Sequence, residues 1–498
     1  MNLFGPSLLA CSLTPSPSTA TTTTRAALGT LYAYSNASKI ARETYGIDLD
    51  AGLQSGKLSA ALYHTAGKGT RLAPLPGAEN NNKPGVKLPA TVEIAGSLSS
   101  ITILEAVVMQ TGCYAKSRPG RLSVFWGDQI FVPTVDVGYT VTHHVDILCS
   151  LGPMMSEDEW KSKGMDKYGL IAVGDKGEAA QVEKVSHSTA VGLLAHLGEI
   201  SAVGVSLGSF SVSSPMLFAL LSEFSGELAA KSGKLDSDPH LWMPMTLDRS
   251  AYLQLMSQKG VTEDVSAQHF DRIADMMKRF NSSAQSGAAG ALGLFGPVDV
   301  GQGVNWWDYG QLKLYQRNTL LMAHDSTEAQ LIRSFYGIAE SDRSRQSSIT
   351  NTAVDGHSTV SGCELGFSSG AGGGGSVKSS VLSNVKCKHI DADGCVLINV
   401  TAKRIVAKPG SIVYNVIDSS EEGIVVGPGD VLAGVSAPDG SQQVIRSHMD
   451  IDGGKSWETR VAGNPMSFEQ VYDSNTEVCP ITIEKTNAEA HRVAWQAL

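Results

Sequence analysis

The chain has 498 residues, more than one compact hydrophobic core usually holds, so two or three domains are expected. A composition of 42% hydrophobic and 18% charged residues, with no apolar run long enough to span a bilayer, argues against a membrane protein. The net charge of −10 argues against a general nucleic-acid binder, which needs a basic face, so an anionic substrate must be met by a local basic cluster.

The first thirty residues are rich in Ser and Thr, and the first acidic residue of the chain is Glu43. That pattern fits either a transit segment, plastid or mitochondrial, or a disordered tail. The location is therefore cytoplasmic, or plastid if the segment is a transit peptide. Seven cysteines, an odd number with no CxxC pair, point to free thiols in a reducing compartment. Residues 33–56 read as a helical lead-in, which closes an N-terminal extension over 1–57.

Leu58 to Tyr63 form a short apolar run that reads as a strand, and it empties at once into Gly67, Lys68, Gly69, Thr70 and Arg71. Glycines let backbone N–H groups approach a phosphate without a Cβ in the way, and Lys68, Arg71, Lys83 and Lys87 gather positive charge there, opposed only by Glu79. Ile101, Leu104, Val107 and Val108 fall at helical spacing, with Gly112 expected to end that helix. Arg121 to Phe131 read as the next strand, which completes a βαβ unit. Asp128, in the tract Trp126-Gly127-Asp128-Gln129 near the end of that strand, suits Mg²⁺, which prefers one or two carboxylates plus phosphate oxygens. A helix-cap or turn role is the competing reading.

Further short strands are expected at DILCSL, YGLIAV and AAQVEKV. Next comes a helix with Ser214 as cap and Pro215 in its first turn. Within this region Glu183 can accept sugar hydroxyls while Lys184 meets a phosphate, against the competing reading of an ordinary exposed Glu-Lys pair. Residues 224–296 read as a helical insertion or lid, with Phe270, Ile273, Met276 and Met277 as an apolar stripe whose ordinary reading is a core face. The packet Asn305-Trp306-Trp307-Asp308-Tyr309-Gly310 can wall a site and offer a second metal carboxylate, with Asp299 as a rival. Alternatively, Asp308 caps a helix starting near Gln311.

A Gly/Ser-rich linker is expected over 356–376. After it, Val381–Val385, Val396–Val400 and Ile412–Val416 repeat one pattern around Asn384, Asn399 and Asn415. Asparagines spaced 15 and then 16 residues apart fit a β-helix with a stacked asparagine ladder over 377–440. The 441–498 segment shows no clear pattern.

Taken in order, AGKGTRL…KP, strand-GDQ, YGLIAV…QVEKV and WWDYG resemble the nucleotidyltransferases that join a nucleoside triphosphate to a sugar 1-phosphate. The likeness covers 58 to about 320, and a β-helix also occurs behind that domain in ADP-glucose pyrophosphorylases and the bacterial N-acetylglucosamine-1-phosphate uridylyltransferase. The resemblance implies an α/β fold: a Rossmann-like nucleotidyltransferase domain over 58–355 with a mixed, mainly parallel sheet, then a C-terminal β-helix. It implies that Gly67, Lys68, Gly69, Thr70 and Arg71 bind the triphosphate, with Lys83 or Lys87 on its phosphates. Arg71, Lys83 and Asp128 would be catalytic, Asp128 and Asp308 would hold Mg²⁺, and Gly169, Glu183 and Lys184 would bind the sugar phosphate. The implied reaction releases pyrophosphate, with UTP and glucose 1-phosphate as the first guess. Ala66 replaces the first glycine of many members, and Ser206-Leu207-Gly208 stands where Asn-Ala-Gly is common. A non-catalytic sensor or scaffold of the same fold is the alternative. Acyl transfer by the β-helix is disfavoured, since only His389 lies within the repeat. The β-helix edge favours a homo-oligomer.

Overall fold

A computed structural model describes residues 26–498, apart from 66, 95–96, 116–117, 136–139, 176, 232–234, 285–291, 304, 345–346 and 367–374. Most of the suspected transit segment, together with Ala66, lies outside the described residues. Among these residues no helix is long and apolar enough to cross a membrane. Two compact units are present, and they do not follow chain order: one runs up to His64 and adds Thr111–Trp126 and Val132–Asn305, and the other takes Thr65–Gln110, Gly127–Phe131 and Trp306–Leu498.

The first unit is built on a seven-stranded mixed sheet. Strand Ala60–His64 pairs in parallel with Arg121–Trp126, as a βαβ crossover requires, and His143–Gly152 pairs in parallel with Gly293–Asp299. The long strand Ile200–Ser213 lies between them and runs antiparallel to Arg121–Trp126, to His143–Gly152 and to Gly169–Gly174. Gly169–Gly174 turns back through a hairpin into Ala179–Glu183. Five strands thus share one direction and two oppose it, which makes the sheet mixed with a parallel majority of directions. A buried ion pair crosses its interior, Arg121 Nη2 to Asp146 Oδ2 at 2.6 Å, with Arg121 Nε also donating to Ser211 Oγ.

Helices cover this sheet. Ser213, not Ser214, caps the helix Ser214–Glu223 by accepting from Met216 N–H, while the Ser214 hydroxyl donates to Leu53 O. The strand therefore supplies its own terminator one residue earlier than the pattern suggested. Over the described part of 224–296 the chain is mostly helical, and its end enters the sheet strand Gly293–Asp299. Leu241, Trp242, Ile273, Met276 and Phe280 enter the same buried core as Val124, Ile147 and Val212. Apolar area of that extent is stable only when removed from water.

The second unit carries the β-solenoid, of about four turns. Its strands pair in parallel from Ser348–Ile349 onward, and the register Val381↔Val396 and Val396↔Ile412 reproduces the 15- and 16-residue spacing read from the asparagines. Part of the expected linker is solenoid: Thr359–Ser361, Glu364–Leu365 and Gly375–Lys378 are paired strands. Gly and Ser serve tight coil corners as well as flexible chain, so composition alone does not tell the two apart. Residues 367–374 of that stretch lie outside the described residues. Asn384, Asn399 and Asn415 all hold positive φ, at 51°, 55° and 57°, a conformation asparagine tolerates better than any other residue with a side chain. The ladder is realised between two of them, Asn399 Nδ2 donating to Asn415 Oδ1 at 2.6 Å, whereas Asn384 donates instead to Ser100 Oγ.

Two parts of this unit had no sequence forecast. An antiparallel hairpin, Lys87–Ile94 with Ser97–Thr102, follows the glycine loop. Helix Ile103–Ala115 comes next and runs past Gly112, which does not end it. The C-terminal segment forms a final antiparallel strand, Gln442–His448, and the helices Phe468–Thr476 and Pro480–Ala497.

Candidate functional site

The glycine loop leaves the strand ending at His64 and enters a short turn at Thr70–Leu72. Gly67 and Gly69 have φ of 123° and 67°, so both positions favour glycine for backbone reasons alone. Gly69 also packs against Lys83, whose Cβ would stand 3.2 Å from a Cβ placed there. The loop's special residues thereby hold the stem of the lysine that follows them.

The strand foreseen over 121–131 is broken at Gly127-Asp128 into Arg121–Trp126 and Gln129–Val132, and the second piece pairs with Asn305–Asp308. That pairing brings the two aspartates together: Tyr309 N–H donates to Asp128 O at 2.8 Å. Lys83 Nζ is ion-paired with Asp128 Oδ2. Asp308 Oδ1 accepts Gly310 N–H at 2.6 Å, and Asn318 donates to the Asp308 carbonyl. A Cβ on Gly310 would lie 2.8 Å from Asp128 Oδ2, 2.9 Å from Asp308 Oδ1 and 3.5 Å from Lys83 Nζ. Three charged groups from three chain segments thus converge on one glycine.

Burial raises the pKa of Asp308, and the Asp128 charge pushes it further in the same direction. The Gly310 N–H bond offsets this first, and Lys83 and Arg71 offset it less. Two like charges facing each other in a partly desolvated recess are a donor set that suits a hard divalent cation with oxygen ligands. Asp308 does not cap the following helix, whose N-cap is Gln311. Asp299 lies in the first unit, where its carboxylate accepts the N–H groups of Leu151 and Gly301. Trp307 is buried with its Nε1–H on Glu328, so it packs as core.

The remaining cations of the loop divide their roles. Lys87 Nζ pairs with Glu79 Oε1 at 2.6 Å, and the same oxygen accepts the Tyr414 hydroxyl from the solenoid. Lys68 lies 5.2 Å from the ring centre of Tyr472 and 5.8 Å from that of Trp457, a cation–π contact with the C-terminal segment. Arg71 is exposed and makes no ion pair among the described residues. Thr70 and Arg71 are braced from outside the motif: a Cβ on Gly453 would meet Thr70 O at 2.4 Å, and one on Gly454 would meet Arg71 Cγ at 3.7 Å. Sequence reasoning named Glu79 only as the charge opposing the loop's cations, and missed Tyr414 and this brace. Asp452-Gly453-Gly454 is a legible turn signal, but nothing in it names its partner.

Gly169, Glu183 and Lys184 lie in the first unit. Gly169 and Glu183 are cross-strand partners at the open end of the hairpin, and Lys184 follows with φ of 57°. Lys184 Nζ approaches Glu183 Oε1 at 2.9 Å, and Lys259 Nζ donates to the Glu183 carbonyl at 3.3 Å. Asp238, from the insertion, stands beside them with its pKa pushed up to about 6, chiefly by burial and then by the charge of Glu183. In Ser206-Leu207-Gly208, Ser206 Oγ accepts Gly208 N–H. Gly208, at φ of 73°, leaves only 2.3 Å between a Cβ and Trp126 Nε1.

Compared with known proteins, the chain matches no protein-family model and no curated protein.

Proposed function

We propose that the protein is a nucleotidyltransferase that condenses a nucleoside triphosphate with a sugar 1-phosphate, releasing pyrophosphate. The observation that carries this reading is the convergence of Lys83, Asp128 and Asp308 on Gly310, in the unit that also holds the glycine loop. A loop whose backbone can approach phosphate, an exposed arginine, a lysine and two carboxylates are the parts that phosphoryl transfer needs for charge neutralisation and alignment.

In the reaction, a phosphate oxygen of the sugar 1-phosphate attacks the α-phosphorus in line, and the bond to the β-phosphate oxygen breaks as pyrophosphate departs. The backbone of Gly67 to Thr70 holds the triphosphate, and Arg71 offsets the charge that grows on the leaving group. Lys83, released from Asp128, contacts a phosphate oxygen. Asp128 and Asp308 fit Mg²⁺, which when bound neutralises phosphate charge and draws the reacting oxygens into line. Glu183 and Lys184 receive the sugar phosphate, the carboxylate on hydroxyls and the ammonium on phosphate.

The test is pyrophosphate release by the full chain with Mg²⁺, across a matrix of nucleoside triphosphates and sugar 1-phosphates with UTP and glucose 1-phosphate first. One strong combination supports the reading and names both substrates. A blank matrix from protein that still binds a sugar phosphate or a nucleotide would replace it with a sensor role.

A further inference from the structure

Between the glycine loop and Lys83 the chain carries Asn80-Asn81-Asn82, and the first two hold left-handed backbone, at φ of 51° and 66°. Successive residues with side chains in that region hold it only when their surroundings fix it. The fixing comes from helix Phe468–Thr476, far along the chain. Asn475 Nδ2 donates to Asn81 Oδ1 at 3.1 Å and to Gly77 O at 2.8 Å. Asn81 Nδ2 in turn donates to Tyr472 O at 2.7 Å. One helix thus matches both ends of the Asn81 amide. Asn475 is itself buried, and Gly77 is pressed against the same helix, where a Cβ would meet Val471 Cγ1 at 2.9 Å.

These bonds reach the site through the backbone. Lys83 N–H donates to Asn81 O at 3.1 Å, so the turn that Asn475 holds is the one from which Lys83 departs. The Lys83 stem packs on Gly69, and its ammonium meets Asp128. A line of direct contacts therefore runs from Asn475 through Asn81 and Lys83 to the recess at Gly310, all within one compact unit. Packing alone would be served by apolar side chains, as it is at Val471 and Phe468. A buried amide bonded to another amide selects one arrangement of the turn instead, because any other leaves polar groups unmatched.

We infer that Asn475 is a positioning residue of the phosphate-binding loop: through Asn81 it fixes where Lys83 stands, so the C-terminal segment shapes a triphosphate subsite whose charged groups come from elsewhere in the chain. This rests on the nucleotidyltransferase reading only for the triphosphate as ligand. It gives a role to a segment in which the sequence shows no pattern.

The experiment is calorimetric titration of the full chain with inorganic tripolyphosphate and Mg²⁺, on the wild type, Asn475→Ala, Lys83→Ala, the double variant and Ser467→Ala. Asn475→Ala should weaken binding about tenfold, the effect of losing one good hydrogen bond to the ligand. With Lys83 already truncated Asn475 has nothing left to position, so the double variant should bind within about twofold of Lys83→Ala. Ser467→Ala is the control for stability. Ser467 caps the same helix, its hydroxyl accepting Gln470 N–H at 3.2 Å, and makes no hydrogen bond to the loop among the described residues. Its loss should lower the melting temperature and keep wild-type affinity. Should Asn475→Ala not fold, Asn81→Gly removes the same bond, keeps the left-handed backbone and should show the same tenfold loss, about as large because the path is shared. Affinity within about twofold of wild type in the Asn475 and Asn81 variants, an equal loss in Ser467→Ala, or full additivity in the double variant overturns the inference. So does a wild-type chain that does not bind tripolyphosphate. The two proposals fail separately. If tripolyphosphate binding depends on Asn475 but no pyrophosphate is released, the positioning role stands and the reaction falls. If pyrophosphate is released and Asn475→Ala leaves affinity intact, the reaction stands and the positioning role falls.

Discussion

Lys83 is ion-paired with Asp128 across 45 positions of sequence, while Lys87, four residues on, is committed to Glu79. Two lysines that compete for one role on paper are thus separated by their partners. Lys83 faces the recess at Gly310, and Lys87 is locked into a half-buried cluster with Glu79 and the Tyr414 hydroxyl.

Their substitutions should therefore diverge. Lys83→Ala is expected to lower kcat about 10²- to 10³-fold, the effect of losing one preorganised charge partner. Lys87→Ala should act on stability, by about 1–3 kcal/mol, because Glu79 would keep its burial and lose its cation. Pyrophosphate release and urea denaturation on both variants check the pair; equal kinetic loss in the two would refute the division.

Gly310→Ala is a sharper probe of the same recess. The added methyl would stand within 3 Å of both carboxylates, and the φ of Gly310 imposes no strain of its own. Displacing the carboxylates by a fraction of an ångström should cost on the order of 10²-fold in kcat, since positioning dominates this chemistry. The Mg²⁺ concentration for half-maximal rate should rise as well. A fully active variant would remove Gly310 from the site.

The alternating apolar runs made the strands of the sheet legible, and the 15- and 16-residue asparagine spacing returned as the pairing register of the solenoid. The family resemblance paired Asp128 with Asp308, and both carboxylates lie beside Gly310. What stayed hidden depended on contacts distant in sequence. The hairpin after the glycine loop, the Gly453 brace on Thr70 and the Tyr414 bond to Glu79 carry no local period. Composition did not separate the paired strands Thr359–Ser361 and Glu364–Leu365 from linker, whereas the apolar stripe of 224–296 joins the main core as an ordinary core face does.

Asn415 gives a stability test of the ladder. Its Oδ1 accepts from Asn399 and from Asn487 at 2.6 and 2.7 Å, and its Nδ2 donates to Ala78 O and Gly434 O. Asn415→Ala should destabilise by about 3 kcal/mol or more, because those partners are left unmatched in a buried site and alanine resists φ of 57°. Asn415→Gly should recover about 1 kcal/mol of that, the conformational share alone. Chemical denaturation of the three proteins separates the two contributions. Equal loss in Ala and Gly would mean that the left-handed corner carries no strain.

Asp238 should leave a mark on the pH dependence of stability. Its folded pKa of about 6 lies above the ordinary aspartate value near 4, so the folded state holds the proton more tightly than the unfolded chain. The associated stability is therefore complete below about pH 4 and is lost as pH rises through about 6. At pH 7.5 the wild type must ionise a buried carboxyl beside Glu183 and Asp236, opposed by the Gln181 side-chain hydrogen bond and, less, by Lys184. Asp238→Asn escapes that cost, so it should be the more stable protein at pH 7.5, by at most about 3 kcal/mol. The advantage should shrink as pH falls through 6 and vanish near 4. Denaturation midpoints of the two proteins at pH 4, 5, 6 and 7.5 check the trend, and a constant difference across that range would show that Asp238 is ionised throughout.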